Sequence, residues 1–138
     1  MALILGTGPL YASLDRRDSA YAACRHLVET TNEPLVIPAP VLVEADYWIH
    51  ARLHPGVFIV LLDDVLGAAY LVEELLPQDY RRIRDLCDRY ADADIGFVSA
   101  AVLAVVGRLD EPKLTTPDHR HFGAMHPRHV DALKLLPD

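Results

Sequence analysis

Glu44, the Asp92-Ala93-Asp94 stretch and Asp118 are the side chains whose types and placement point to chemistry. Brought to one place, carboxylates from dispersed segments make an oxygen-ligand set for a hard divalent cation such as Mg²⁺, which prefers oxygen donors and keeps several of its waters. His119 and His121 suggest zinc or general-base chemistry instead. Lying two apart in a loop with no further ligand nearby, they read better as solvated histidines or phosphate contacts. Cys24 and Cys87 are far apart, with no Cys-x-x-Cys or Cys/His cluster, and read as buried thiols of a reducing compartment.

Such carboxylates meet only if the fold brings them together. Short runs rich in Val, Ile, Leu or Tyr predict strands at Ala2 to Leu5, Leu35 to Pro38, Ala69 to Leu75, Lys113 to Thr116 and Ala132 to Leu136. Between them, helical spacing predicts helices at Ser19 to Glu29 behind the capping residue Asp18, at Ala39 to Arg52, at Gln78 to Ala91 and from about Val98 to Arg108. His54 to Leu66 is ambiguous, with Pro55 and Gly56 suiting a helix start and Val57 to Leu62 almost wholly apolar. Continuous apolar strands alternating with helices predict one α/β domain over residues 1–138, a mainly parallel sheet of about five short strands flanked by helices on both faces. Ligands of such sheets bind beyond the carboxyl ends of the strands, which directs attention to Gly6-Thr7-Gly8-Pro9 and to Pro117-Asp118.

The 138 residues, 51% of them hydrophobic, are enough for one core. No apolar run reaches the ~20 residues of a membrane span, and the start lacks the basic and apolar regions of a signal peptide, so a cytoplasmic location away from membranes is expected. A net charge of −7 argues against a general phosphate binder. Contact with nucleic acid then falls to local patches, among them Arg16-Arg17, Arg81-Arg82-Arg84 and the cluster of His119, Arg120, His121, Arg128 and His129. Tyr47, Trp48, Phe58 and Tyr70 read as core aromatics, although Val57 to Leu66 is too apolar for every side chain to turn inward, and an apolar surface patch marks an interface.

The strings ILGTGPLYASLDRRD, PAPVLVEADYWI, DIGFVSAAVLAVVGRL and KLTTPDHRHF, in this order, resemble a PIN domain of the bacterial VapC type, the toxin of a type II toxin–antitoxin pair, along essentially the whole chain. The resemblance implies a Mg²⁺-dependent endoribonuclease, with Mn²⁺ as a substitute, acting on structured RNA such as tRNA or rRNA. It also implies a VapB-type antitoxin partner and a homodimer, with the helical region around Val57 to Leu66 contributing to both contacts. Carried onto this sequence, it makes Glu44 and Asp118 catalytic metal ligands and Thr7 and Arg120 contacts to a metal-bound water or phosphate. Two further family positions, ordinarily aspartates, are Gly6 and Ser99 here, and the glutamate often found before Arg-Leu in the later helix is Gly107. Glycine supplies no ligand, and a serine hydroxyl lacks the charge that suits a hard dication. Impaired metal binding and turnover are therefore expected, whether the replacements are natural or introduced, unless Asp92 or Asp94 takes over a ligand role. The alternative is a non-catalytic module that binds an antitoxin-like peptide or holds RNA without cutting it.

Overall fold

The computed structural model describes residues 1–115 and 133–137. Strand β1 (Leu3–Ile4) is short, yet Leu3, Ile4 and the following Leu5 are at most 1% exposed. Successive strand residues point to opposite faces, so both faces of the sheet are covered at this point. Beside β1 runs β2 (Leu35–Pro38), and beside β2 runs β3 (Leu71–Glu73), both parallel. A second parallel pair, β4 (Lys113–Thr115) with β5 (Lys134–Leu136), joins the first sheet through the parallel bridge Leu5 to Thr115. Read across, the order is β3-β2-β1-β4-β5, and the chain reverses its direction of winding between β1 and β4.

Strand β2 has its predicted bounds, whereas β1 and β3 are shorter than the apolar runs that predict them. At Pro38, β2 passes directly into helix α3 (Ala39–Arg52), so the ladder available to the Ala69 to Leu75 run ends there. Gly6 begins a new element, α1 (Thr7–Ala12), which closes β1. Helix α2 (Tyr21–Thr30) starts two residues later than predicted, because Asp18 Oδ1 accepts the Ala20 N–H in a turn ahead of the helix. The ambiguous segment is a helix, α4 (Pro55–Leu66), capped by His54, whose Nδ1 accepts the Gly56 N–H at 3.0 Å. Of the predicted core aromatics, Tyr70 is buried, Trp48 and Phe58 are half-buried, and Tyr47 is a correction: it lies largely exposed. On α4, Leu61 faces inward while Ile59, Val60, Leu62 and Leu66 face solvent.

Helix α5 (Pro77–Arg89) packs on α6 (Phe97–Arg108), whose residues Ala100 to Val106 are buried on every side, as suits the central helix of a layered domain. Polar clamps hold these layers. Arg108 Nε donates to both carboxylate oxygens of Asp79 at 3.0 Å, and its other nitrogens reach Glu73 Oε1 at 2.9 Å and the Glu74 carbonyl at 3.0 Å, tying α6 to α5 and to the end of β3. Lys113 Nζ donates to Glu33 and Glu111, both at 2.8 Å, and Glu111 also accepts the Ala2 N–H, fastening β4 beside β1. Cys24 and Cys87 are free thiols, and burial pushes the Cys24 thiol upward. No helix among the described residues is long and apolar enough to cross a membrane.

Candidate functional site

The β1/β4 boundary is a topological switch point, where the connections leaving neighbouring strands part to opposite sides and open a crevice at the carboxyl edge of the sheet. Gly6 stands at that edge, its N–H bonded to the Thr115 carbonyl at 3.2 Å. A cavity of about 430 Å³ opens there, bringing together Gly6 and Thr7 from the start of α1, Glu44 from α3 and Ser99 from the first turn of α6. Asp18 and Arg52 complete its polar lining, and Tyr11, Trp48, Val98 and Val102 supply apolar wall. Four of the residues singled out in the sequence thus share one cleft. Asp118 and Arg120 lie outside the described residues, as do His119, His121, Arg128 and His129.

Asp94 does not line the cleft. It is exposed and left-handed (φ 53°) at the end of a 3-10 turn, Ala91–Ala93, a conformation that a turn aspartate adopts readily. Asp92 is exposed on the same turn and is likewise absent from the lining. The second carboxylate in the cleft is Asp18, which the sequence offered only as a capping residue.

Glu44 is half-buried and has no hydrogen-bond or ion-pair partner among the described residues, an arrangement that costs free energy unless something else meets the charge. The hydroxyls of Thr7 and Thr115, both shielded from solvent, also lack partners. Their orphaned state is uncommon for buried polar atoms. Gly6 adopts φ −76° and ψ 177°, extended backbone open to any residue. A Cβ there would lie 3.6 Å from the Thr115 carbonyl oxygen and 3.9 Å from Pro9 Cδ, ordinary contact distances, so neither backbone nor space calls for glycine. Ser99 is the third residue of α6, where the unpaired N–H groups of the first helical turn favour a negative side chain.

As a cation site the described part of the cleft is incomplete. Glu44 offers one half-buried carboxylate, Asp18 a second whose Oδ1 is engaged by the Ala20 N–H, Thr7 and Ser99 offer neutral hydroxyls, Gly6 offers nothing, and no cluster of three or more His, Cys, Asp or Glu side chains occurs among the described residues. This donor set does not fit a fully ligated hard dication.

Arg52, Trp48 and Tyr11 went unread as cleft residues, although Glu44, Trp48 and Arg52 recur at a spacing of four, one stripe of α3. The Arg52 guanidinium lies 4.1 Å from the Trp48 ring centroid and 5.7 Å from that of Tyr11. Burial pushes the Tyr11 phenol up, helped by the Asp15 carboxylate to which it donates at 2.5 Å. The same bond, with the Arg17 N–H, holds Asp15 below the usual carboxylate range.

No family model matches the chain. It is 25% identical over 125 residues to Ribonuclease VapC26 of Mycobacterium tuberculosis (strain ATCC 25618 / H37Rv), covering 91% of this chain and 93% of that protein. Its fold is similar to that of M. tuberculosis VapC20, a Sarcin-Ricin loop cleaving toxin, with a TM-score of 0.78 and 15% identity over 94% of this chain and 99% of that one. It also matches a chain of the DNA-bound VapBC from Salmonella typhimurium, with a TM-score of 0.70 and 12% identity over 98% and 96% of the two chains. Against VapBC2 from Rickettsia felis, bound to a promoter DNA fragment, the TM-score is 0.67 and the identity 17%, over 98% and 97%. The parallel sheet, the cleft at its switch point and similarity running along nearly the whole chain agree with the sequence motifs: the fold is that of VapC proteins, and the sequence is similar to that of a VapC ribonuclease.

Proposed function

We propose that the protein is the toxin component of a VapBC module, a PIN-domain endoribonuclease whose own cleavage is impaired because two carboxylate positions of its cleft are Gly6 and Ser99. Its substrate is structured RNA of the tRNA or rRNA class, and Mg²⁺, or Mn²⁺ in its place, is the cation of a restored site. The observation that carries this reading is the convergence of Gly6, Ser99 and an unpartnered Glu44 in one cleft, with room at position 6 for the missing side chain. Asp118 belongs to the same proposal as the remaining carboxylate, with Thr7 and Arg120 as contacts to phosphate. No step through a cation is derived for the chain as it stands, because Gly6 and Ser99 leave the set short of charge.

A VapB-type antitoxin is the proposed protein partner, and a homodimer the proposed assembly. The solvent-facing Ile59, Val60, Leu62 and Leu66 of α4 support a protein contact, since apolar side chains grouped on one surface helix mark interfaces.

The test is RNA cleavage by the purified chain and by the double variant Gly6→Asp with Ser99→Asp, each with Mg²⁺ or Mn²⁺. The parent is expected to cut little, and the double variant to gain cleavage. A double variant that folds and stays inert would overturn the assignment of positions 6 and 99, and an RNA-binding or peptide-binding module without catalysis would then be the better reading.

A further inference from the structure

We propose that Arg52 binds a backbone phosphate of the RNA, one contact removed from the Glu44 end of the cleft; this rests on the cleft being an RNA site. Glu44 and Arg52 lie on the same stripe of α3, eight residues apart, and both line the cavity. At 1.5 Å per residue their backbones are separated by about 12 Å, so a phosphate held by Arg52 belongs to a nucleotide neighbouring the one at Glu44.

The surroundings of Arg52 set it apart from the cations that the fold pairs with carboxylates. Arg108, Lys113, Arg25, Arg17 and Arg84 each face a carboxylate within 4 Å. Arg52 has no carboxylate ion-pair partner among the described residues, in a chain with 20 acidic side chains against 13 basic ones. It rests on the face of Trp48 and near that of Tyr11, which orient the guanidinium through cation–π attraction without neutralising it. A planar fork of N–H donors held in this way matches a phosphate better than a lysine would. Arg17 donates from Nη2 to the Arg52 carbonyl at 3.0 Å, its own charge being paired with Asp15.

The test measures binding of a labelled RNA stem–loop to the full chain across a range of salt concentrations, for the parent, Arg52→Gln, Arg52→Lys and, as a control, Arg89→Gln, a stacked arginine that does not line the cleft. Arg52→Gln is expected to weaken binding about tenfold at low salt and to flatten the dependence of log K on log salt by about 0.7, the value of one phosphate contact on a single strand. Arg52→Lys keeps the slope while losing part of the affinity, and Arg89→Gln matches the parent. A purely structural role for the stacked guanidinium would lower melting temperature without changing the slope, and that result overturns the proposal. So does parent-like binding by folded Arg52→Gln; if the Gly6→Asp, Ser99→Asp chain still cleaves RNA, only the Arg52 assignment falls. Absence of RNA binding by parent and restored chains alike, with no cleavage by the latter, overturns both this proposal and the ribonuclease reading.

Discussion

The ion-pair clamps that tie the layers and the cleft at the sheet's switch point treat polar groups in opposite ways. Arg108 sits in a cage of Asp79, Glu73 and the Glu74 carbonyl, and Lys113 bridges Glu33 and Glu111. Each of these charges is met at hydrogen-bond distance, and each link ties two elements together. In the cleft, Glu44 has no described partner, Thr7 carries an orphaned hydroxyl, as does Thr115 on the strand bonded to Gly6, and Arg52 is met by the rings of Trp48 and Tyr11 and by no carboxylate. Polar groups satisfied from within hold a fold together, whereas groups left unsatisfied beside a cavity face something that is not part of the chain.

The largest effect that sharpens this contrast belongs to the Arg108 clamp. Arg108→Ala strands the Asp79 carboxylate, whose side chain is only 2% exposed, and is expected to cost about 3–5 kcal/mol in urea unfolding. The Lys113 clamp shows itself through pH. Burial alone would raise the Glu111 pKa, but the Lys113 ammonium and the Ala2 N–H outweigh it and hold the carboxyl below its usual range. Its stabilising contribution is therefore complete above the ordinary glutamate pKa and is lost as pH falls through the depressed value. Lys113→Met removes the compensating charge, so the variant is expected to be less stable than the parent at neutral pH, with the difference shrinking as pH falls and Glu111 is protonated in both.

On the cleft side the sign reverses. Thr115→Val replaces an orphaned hydroxyl with a methyl of similar shape in a β-strand, and is expected to stabilise the fold by about 1 kcal/mol. A comparable loss would mean that the hydroxyl has a partner within the fold and would blur the contrast. Glu44→Gln should move stability least, within about 0.5 kcal/mol. In the Gly6→Asp, Ser99→Asp background the same change is expected to abolish RNA cleavage.

Much of this organisation was legible in the sequence. Helix α3 runs from Ala39 to Arg52 as its pattern predicts, with Val41, Ala45 and Ile49 forming its buried face. The parallel α/β arrangement follows from strands apolar at successive positions, since only a sheet covered on both faces buries them. Glu44 stood out as a carboxylate and Gly6-Thr7 as the end of a strand, Ser99 is marked only by the resemblance of its string to a family, and the cleft that gathers them is a property of topology. The ends of β3 were less legible: β3 stops at Glu73 because its neighbour β2 stops at Pro38, and no local pattern within the Ala69 to Leu75 run encodes that. Arg52 and Asp18 were passed over because a lone arginine at a helix end and an aspartate before a helix each have an ordinary local explanation. Only tertiary packing brings them to Glu44. The apolar segment after His54 resolves as a helix through its cap, with Pro55 at a first-turn position that needs no N–H partner.

The most direct measurement is a double-mutant cycle on RNA cleavage with Mg²⁺, comparing the parent, Gly6→Asp, Ser99→Asp and the pair. If both positions feed one charge-deficient site, each single restoration is expected to give little, and the pair a gain larger than the product of the two single gains. Parent-level cleavage in all three folded variants, or a parent already as active as the pair, would contradict the account.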